Sequence, residues 1–448
     1  MIPKLTASAI YSTLGNNSSL IPLGIKDVAN SCGLTTASYL AGDKLEGKDR
    51  FIDEFGTQAI WLGGLPTYKY LLGKALCAPK GLDSNVDVRI LKDKDILKAA
   101  QEFAPTEQIK NSIKQVAQNV KTYKGITMAK FIGATALTAA SYFGLTKFRH
   151  KYTENEIKKD YMKRLHEKNA DTYENSQIPF SSSFSNVHNV NKSGKDVSFT
   201  GLQSFMFDPV KNLMLVDGVI TGERFSHSRN KQDFMGYAIK EGSFWFFMYY
   251  AGQKISKMLE KHAESKHNKS IDLDARVIEC DELKEAFKTG SIKEHLEVFK
   301  ANKSEVELYK FAVNPKTENL VVEMAKKSDI ISMLKTPKFN IPILKEIFTN
   351  KTDKIDTRKY IDISDLKGVA SKLEKLFGQY EASGEDIDDF FKHVRKLKRA
   401  SVLKNMGACI GALGIIAPGI MLAMRKFGNN SEYQVKKDIE AKLDKQIA

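Results

Sequence analysis

The sequence predicts a mainly α protein made of two tandem pseudo-repeats, each ending in one apolar, membrane-type helix, with a soluble helical insertion in the second repeat. Three observations carry this expectation. Met406–Met424 and Phe131–Thr146 run without a single charged residue. The chain matches itself, element by element, in one order. Elsewhere, apolar residues recur at the helical period.

Composition bounds the reading. The 448 residues suggest about three structural units. Apolar residues make up 42% and charged residues 27%, and the mean hydropathy is −0.34. That is too much apolar material for a disordered chain and too little for a transporter of ten or twelve spans. Cys32, Cys77, Cys280 and Cys409 form no C-x-x-C pair and have no zinc-spaced His, so buried reduced thiols are expected and no metal or cofactor. The net charge of +15 is mostly Lys interspersed with acids, which reads as solvated surface and predicts no nucleic-acid partner. The N-terminal MIPKLTASAIYSTLGNN lacks the sustained apolar core of a cleavable signal.

The first repeat is expected over 20–150. It opens with an apolar helix and turns near Gly42. An aromatic stretch, Phe55–Leu72, follows and contains Trp61. Its last element is an apolar helix over 126–146, with Lys130 within reach of the interface and Lys147, Arg149 and Lys151 closing the end. A polar linker, 151–204, separates it from the second repeat, 205–428. In the self-match, Cys32–Thr36 aligns with Asp217–Thr221, and Trp61 with Trp245, the two Trp residues of the chain. Val88–Leu91 aligns with Ala275–Ile278, and Asp95–Lys98 with Asp281–Lys284. The spacing then jumps by an insertion near 290–380, and residues from Glu107 onward align with those from Glu385. The insertion reads as short helices over 281–300, 304–313, 318–334 and 341–349, punctuated by Pro315, Pro337 and Pro342. Amphipathic helices follow over 365–381, with Ser364 as N-cap, and over 385–402. A second aromatic run, Phe244–Ala251, and Phe55–Leu72 fit interfacial or re-entrant elements as well as a soluble core.

The second apolar helix, 404–424, approaches the roughly 30 Å hydrocarbon thickness at 1.5 Å per residue. Ala129, Gly133, Ala136, Ala140 and Gly144 share one face of the first apolar helix, and Gly407, Gly411 and Gly414 share one face of the second. Small residues let membrane helices approach closely, so the two faces are expected to pair. Lys392, Arg395, Lys396, Lys398 and Arg399 precede the second helix and suit anionic lipid headgroups. The Lys/Arg bias around both helices places the intervening mass in the cytoplasm.

No nucleotide, zinc-protease or nucleophile-elbow motif occurs, and Asp272-Leu273-Asp274 lacks the rest of a calcium loop. The densest polar cluster is Asp217, Glu223, Arg224, His227 and Arg229, with Thr221. The expected function is a non-enzymatic integral or tightly membrane-associated protein that organises lipid or protein partners. Membrane lipids are the expected partner, with a protein partner at the 290–380 insertion. The alternatives are a small transporter or channel component with a path between the repeats, and a membrane-bound enzyme using the Asp217–Arg229 cluster. Oligomeric state is not legible.

Overall fold

The computed structural model describes residues 7–16, 20–41, 44–169, 205–229, 231–301, 303–337, 349–427 and 434–447. Most of the expected 151–204 linker and of the expected 341–349 helix lies outside them. The described residues are mainly helical.

In chain order the helices are α1 (Ala7–Gly15), α2 (Leu20–Leu40), α3 (Lys44–Ala59), α4 (Leu65–Cys77), α5 (Lys94–Glu102), α6 (Glu107–Gln118) and α7 (Val120–Asn169). They continue with α8 (Pro209–Ser226), α9 (Lys231–Trp245), α10 (Gly252–His267), α11 (Ala275–Ile278), α12 (Asp281–Thr289), α13 (Ile292–Lys300), α14 (Glu305–Val313) and α15 (Leu320–Lys327). After an antiparallel hairpin of β1 (Met333–Pro337) and β2 (Thr349–Ile355) come α16 (Ile363–Ser383), α17 (Ile387–Gly411), α18 (Ala417–Phe427) and α19 (Gln434–Ile447). Three π-turns interrupt long helices: Ile60–Gly64 between α3 and α4, Phe246–Ala251 between α9 and α10, and Ala412–Ile416 between α17 and α18.

Several expectations change. α7 continues far past residue 150, because Glu154-Asn155-Glu156-Ile157-Lys158-Lys159 contains no breaker and Lys158 pairs with Glu154 one turn away. The expected 281–300 helix breaks into α12 and α13 at Gly290, which sits at φ +74 and closes α12. α15 ends at Lys327, so the expected 318–334 helix stops early and its tail forms β1. Asp362, not Ser364, caps α16. Among the described residues one helical run, Ile387–Met424, is long and apolar enough to cross a membrane. Two such runs were expected. The stretch 126–146 falls short because Thr127, Lys130, Thr135, Thr138 and Ser141 dilute it.

The chain forms two compact units. Residues 1–30, 58–138 and 243–415 make the first, and residues 31–57, 139–242 and 416–448 the second. In the first, Trp61 donates from its indole to Asp27 at 2.8 Å, and the Tyr123 hydroxyl meets the Asp83 and Val86 carbonyls at 2.9 and 2.6 Å. An Asp-x-Arg turn recurs three times in this unit. Asp87 accepts from the Arg89 amide, Asp274 from the Arg276 amide and Asp356 from the Arg358 amide, at 2.9, 2.8 and 3.2 Å. Each arginine side chain folds back onto its own aspartate. Six residues on, Asp93, Cys280 and Asp362 each stand at the N-cap of the next helix. The sequence comparison aligned Val88–Leu91 with Ala275–Ile278, which are short helical turns, and did not pick out the third segment. The apolar core of this unit includes Phe287, Leu308, Val321, Leu373, Phe390 and Phe391, with Phe287 edge-on to Phe377 and Phe391.

Candidate functional site

The second unit buries charge. On α3, Asp49, Arg50, Asp53 and Glu54 fall at helical spacing on one face, while Phe51 between them is 50% exposed. On α7, Thr146, Arg149 and Thr153 share an inward face, and the neighbour Phe148 is 61% exposed. α8 contributes Asp217, Glu223 and Arg224, and α9 contributes Tyr237, Lys240 and Glu241, all buried.

Arginines bridge these helices. Arg149 Nη1 lies 3.2 Å from Asp53 Oδ2 and its Nε 3.8 Å from Asp49 Oδ1, while Nη2 donates to the Tyr237 hydroxyl at 2.7 Å. Arg224 donates from Nη1 to Glu241 Oε1 at 2.6 Å and from Nη2 to Thr57 Oγ1 at 3.0 Å, and it lies 3.4 Å from Asp53 Oδ1. Lys240 Nζ lies 2.6 Å from Glu54 Oε1 and 3.6 Å from Asp53 Oδ2. Arg229 reaches Asp49 Oδ2 at 3.1 Å, and the Thr153 hydroxyl donates to Asp49 Oδ1 at 2.6 Å. Thr221 donates to Glu241 Oε2 at 2.9 Å.

Such burial is sustained only by mutual neutralisation. Desolvation pushes the Asp49 carboxyl up, but the Arg149 and Arg229 charges and the Thr153 hydrogen bond outweigh it and hold it at about 2. Asp53 is held well below the usual carboxylate range against the same penalty, chiefly by Arg149, then Arg224 and Lys240. Glu241 is lowered against burial by Arg224 and Lys240. The Arg149 and Arg224 guanidiniums are bound to their charge more tightly than in water: the surrounding carboxylates overcome the desolvation that opposes it.

Glu223 differs. Burial pushes its carboxyl up, with Asp53 adding to the push, and the Thr146 hydrogen bond and the His227 and Arg224 charges only partly offset it. The ion partner within 4 Å is His227, whose Nδ1 lies 3.7 Å from Glu223 Oε1 and which carries charge only when protonated. Glu223 Oε1 accepts no hydrogen bond among the described residues, and the His227 side chain is half-exposed. The neighbours of Glu223 compensate its charge less than those of Asp49, Asp53 and Glu241 compensate theirs. Elsewhere the network is held by pairing.

Of the residues singled out in the sequence, Glu223 and His227 come together, whereas Arg224 and Arg229 turn instead to acids of α3 and α9. Asp217 is buried on α8. The acids of α3 and the bases of α7 and α9 were missed. The available signal was the Lys48-Asp49-Arg50 and Asp53-Glu54 alternation beside an exposed Phe51, a pattern that suits a charged inward face. Among the described residues no group of three side chains could hold a metal ion.

Ala129, Ala136, Ala140 and Gly144 are exposed on α7 and Gly133 is half-buried. A side chain at Gly133 would meet Leu72, and one at Gly414 the Ala29 carbonyl at 3.1 Å. At Gly144, Gly407 and Gly411 it would meet open space. Of the basic residues before the apolar run, Lys392 and Lys396 are exposed and Arg395 is half-buried. Lys398 donates to the Ile271 carbonyl at 2.7 Å and Arg399 to Glu279 at 2.6 Å. Among known proteins, no family model, curated sequence or solved structure matches this chain.

Proposed function

We propose that the chain is a non-enzymatic, membrane-inserted protein that presents a helical module to water, where it organises lipid or protein partners. One observation carries this reading. Large apolar side chains stand exposed from Ile10 to Met258 and again from Leu403 to Met424, and none does so in the described residues between 259 and 402. Exposed apolar surface is costly in water and costs nothing against lipid tails. The run Ile387–Met424 supports the same reading, because only 39% of its most apolar window is buried within the protein. Lys392 and Lys396 suit anionic headgroups beside it.

The duplication belongs to the same reading. Its support is the pair of π-turns that begin beside Trp61 and after Trp245, and the matching Asp87 and Asp274 turns. An arrangement with 126–146 and 404–424 both in lipid, and the helical module within 259–402 cytoplasmic, completes it.

The test uses the full chain in vesicles carrying an apolar photoactivatable probe. Labelling concentrated in peptides containing Leu403, Ile415, Ile416 and Ile420, with residues 268–400 unlabelled, is the expected result. A chain that remains monodisperse without detergent, or labels evenly, overturns it. The buried charges of the second unit favour a second reading, a small transporter component, since ionisable groups beneath an apolar exterior often mark a solute or proton path. Flux in reconstituted vesicles that disappears in Asp53→Asn would establish that reading over the first.

A further inference from the structure

Cys280 stands at the N-cap of α12 and is 4% exposed. A thiol so covered ordinarily packs among hydrocarbon. Here it has two ionisable neighbours. The Sγ–H donates to Glu282 Oε2 at 2.6 Å, in the first turn of the same helix. Lys327, the last residue of α15, brings its Nζ to 2.9 Å from Sγ and 3.1 Å from Glu282 Oε2. Thiol, amine and carboxylate therefore touch one another, drawn from two helices. A plain Lys–Glu surface pair needs no sulfur between its members. No disulfide joins any of the four cysteines, and the nitrogen within reach of the Cys280 sulfur is Lys327 Nζ.

We propose that Cys280 and Lys327 are the two ends of an oxidative cross-link, Sγ–O–Nζ, formed with dioxygen. The electrons and atoms balance. The thiol and the amine each give up two electrons, and the four together reduce one dioxygen. One oxygen atom enters the bridge and the other leaves as water. The S–H bond and two N–H bonds of the ammonium break, one S–O and one N–O bond form, two of the hydrogens go to water and the third is released as a proton. Glu282 accepts the thiol hydrogen bond but, with its own carboxyl held at about 2, does not keep the proton, which leaves to water as oxidation proceeds, and the Lys327 charge favours the thiolate that forms. Burial and the Glu282 hydrogen bond push the thiol pKa up, so the sulfur rests protonated and quiet until oxidant arrives. The half-exposed Lys327 side chain leaves an approach for dioxygen and for a small dithiol. Closing the bridge ties the start of α12 to the end of α15, removes the Lys327 cation and leaves the Glu282 carboxylate without it. Two equivalents of a dithiol supply the four electrons that restore thiol, amine and water.

The experiment compares the full chain kept anaerobic with dithiothreitol and the same protein exposed to air, each digested under non-reducing conditions for mass spectrometry. The expected product joins the Cys280 and Lys327 peptides, with the mass of both plus one oxygen and minus two hydrogens. Dithiothreitol reverses it. It is absent from Cys280→Ser and from Lys327→Arg, the latter keeping the positive charge so that folding is preserved. Cys32, an exposed thiol, reports that oxidant was delivered. Recovery of Cys280 as a free thiol while Cys32 is oxidised overturns the proposal. So does oxidation of Cys280 to sulfinic or sulfonic acid without linkage, or linkage to any other lysine.

Discussion

Phe390 and Arg149 are equally hidden, at 0% and 2% exposure, yet their surroundings are opposites. Around Phe390 in the helical module lie Phe391 and Tyr380, with Lys269 Nζ 4.8 Å above the ring, and the outer surface between residues 259 and 402 is polar. Around Arg149 in the second unit lie Asp49, Asp53 and Tyr237, and on the same helices Phe51, Phe148, Phe234 and Met235 are exposed. The difference teaches where the driving force lies. A module folding in water gains from burying hydrocarbon. A unit with hydrocarbon outside must gain specificity from pairing charge inside, where direction and distance matter and a wrong partner is costly.

The sharpest way to break this comparison is to remove one charge. Arg149→Met leaves Asp49 and Asp53 short of their largest neutralising neighbour and is expected to cost about 3–5 kcal/mol. Thermal unfolding of detergent-solubilised protein measures it. A change below about 1 kcal/mol would mean that the acids find water instead, and the paired-core picture would fall.

Leu308→Ala probes the other region. Leu308 is fully buried in α14, and its truncation is expected to cost about 3 kcal/mol through lost burial and a residual cavity. The comparison sharpens if this loss is the same in every detergent while that of Arg149→Met varies with detergent, because only the second depends on what surrounds the apolar exterior.

The pH dependence gives the next effect. Asp49 is held at about 2, below its ordinary 3.8, so it stabilises the folded state fully above the ordinary value. That contribution, about 2 kcal/mol, is lost as pH falls from about 4 through about 2. Asp49→Asn should flatten the acid limb of the stability curve, read from denaturant midpoints at a series of pH values. A mere cap is smaller still. Asp274→Ala removes the acceptor for the Arg276 amide and is expected to cost about 1 kcal/mol, confined to the module and insensitive to detergent.

The sequence made one region far more legible than the other. Leu366, Val369, Leu373, Leu376 and Phe377 announce α16 by their spacing, because a helix that buries one stripe in water writes that stripe into its apolar pattern. The segments that follow Asp87 and Asp274 were legible only as a match between Val88–Leu91 and Ala275–Ile278, and Asp356-Thr357-Arg358 escaped because the residues after it, Lys359 and Tyr360, do not resemble Ile90-Leu91 or Val277-Ile278. The ionic core was half-legible. Glu223, Arg224, His227 and Arg229 cluster in sequence, but their partners Asp49, Asp53 and Glu241 come from helices remote in the chain. A face of alternating charges reads as a solvated face unless the opposite face is known to meet lipid. Gly290 was hidden for another reason: a single residue at positive φ breaks a helix that the apolar pattern runs straight through.

The smallest expected effect is also the one with the opposite sign. Glu223 is buried, and burial raises its carboxyl above the ordinary range, with the Thr146 hydrogen bond and the His227 and Arg224 charges only partly offsetting it. A group with a raised folded-state pKa is a liability at high pH, since folding must keep it charged where charge is unwelcome. Glu223→Gln keeps the shape and the Thr146 contact and removes that liability, so the melting temperature should rise by about 2 °C at pH 7. The gain should shrink as pH falls, because the wild-type carboxyl then protonates and comes to resemble the amide. His227→Gln should leave the sign of the Glu223→Gln effect intact and enlarge it, by removing one of the two neighbouring charges that offset burial, Arg224 being the other. A fall in melting temperature for Glu223→Gln at pH 7 would mean that the Glu223 charge is compensated as fully as that of Asp49.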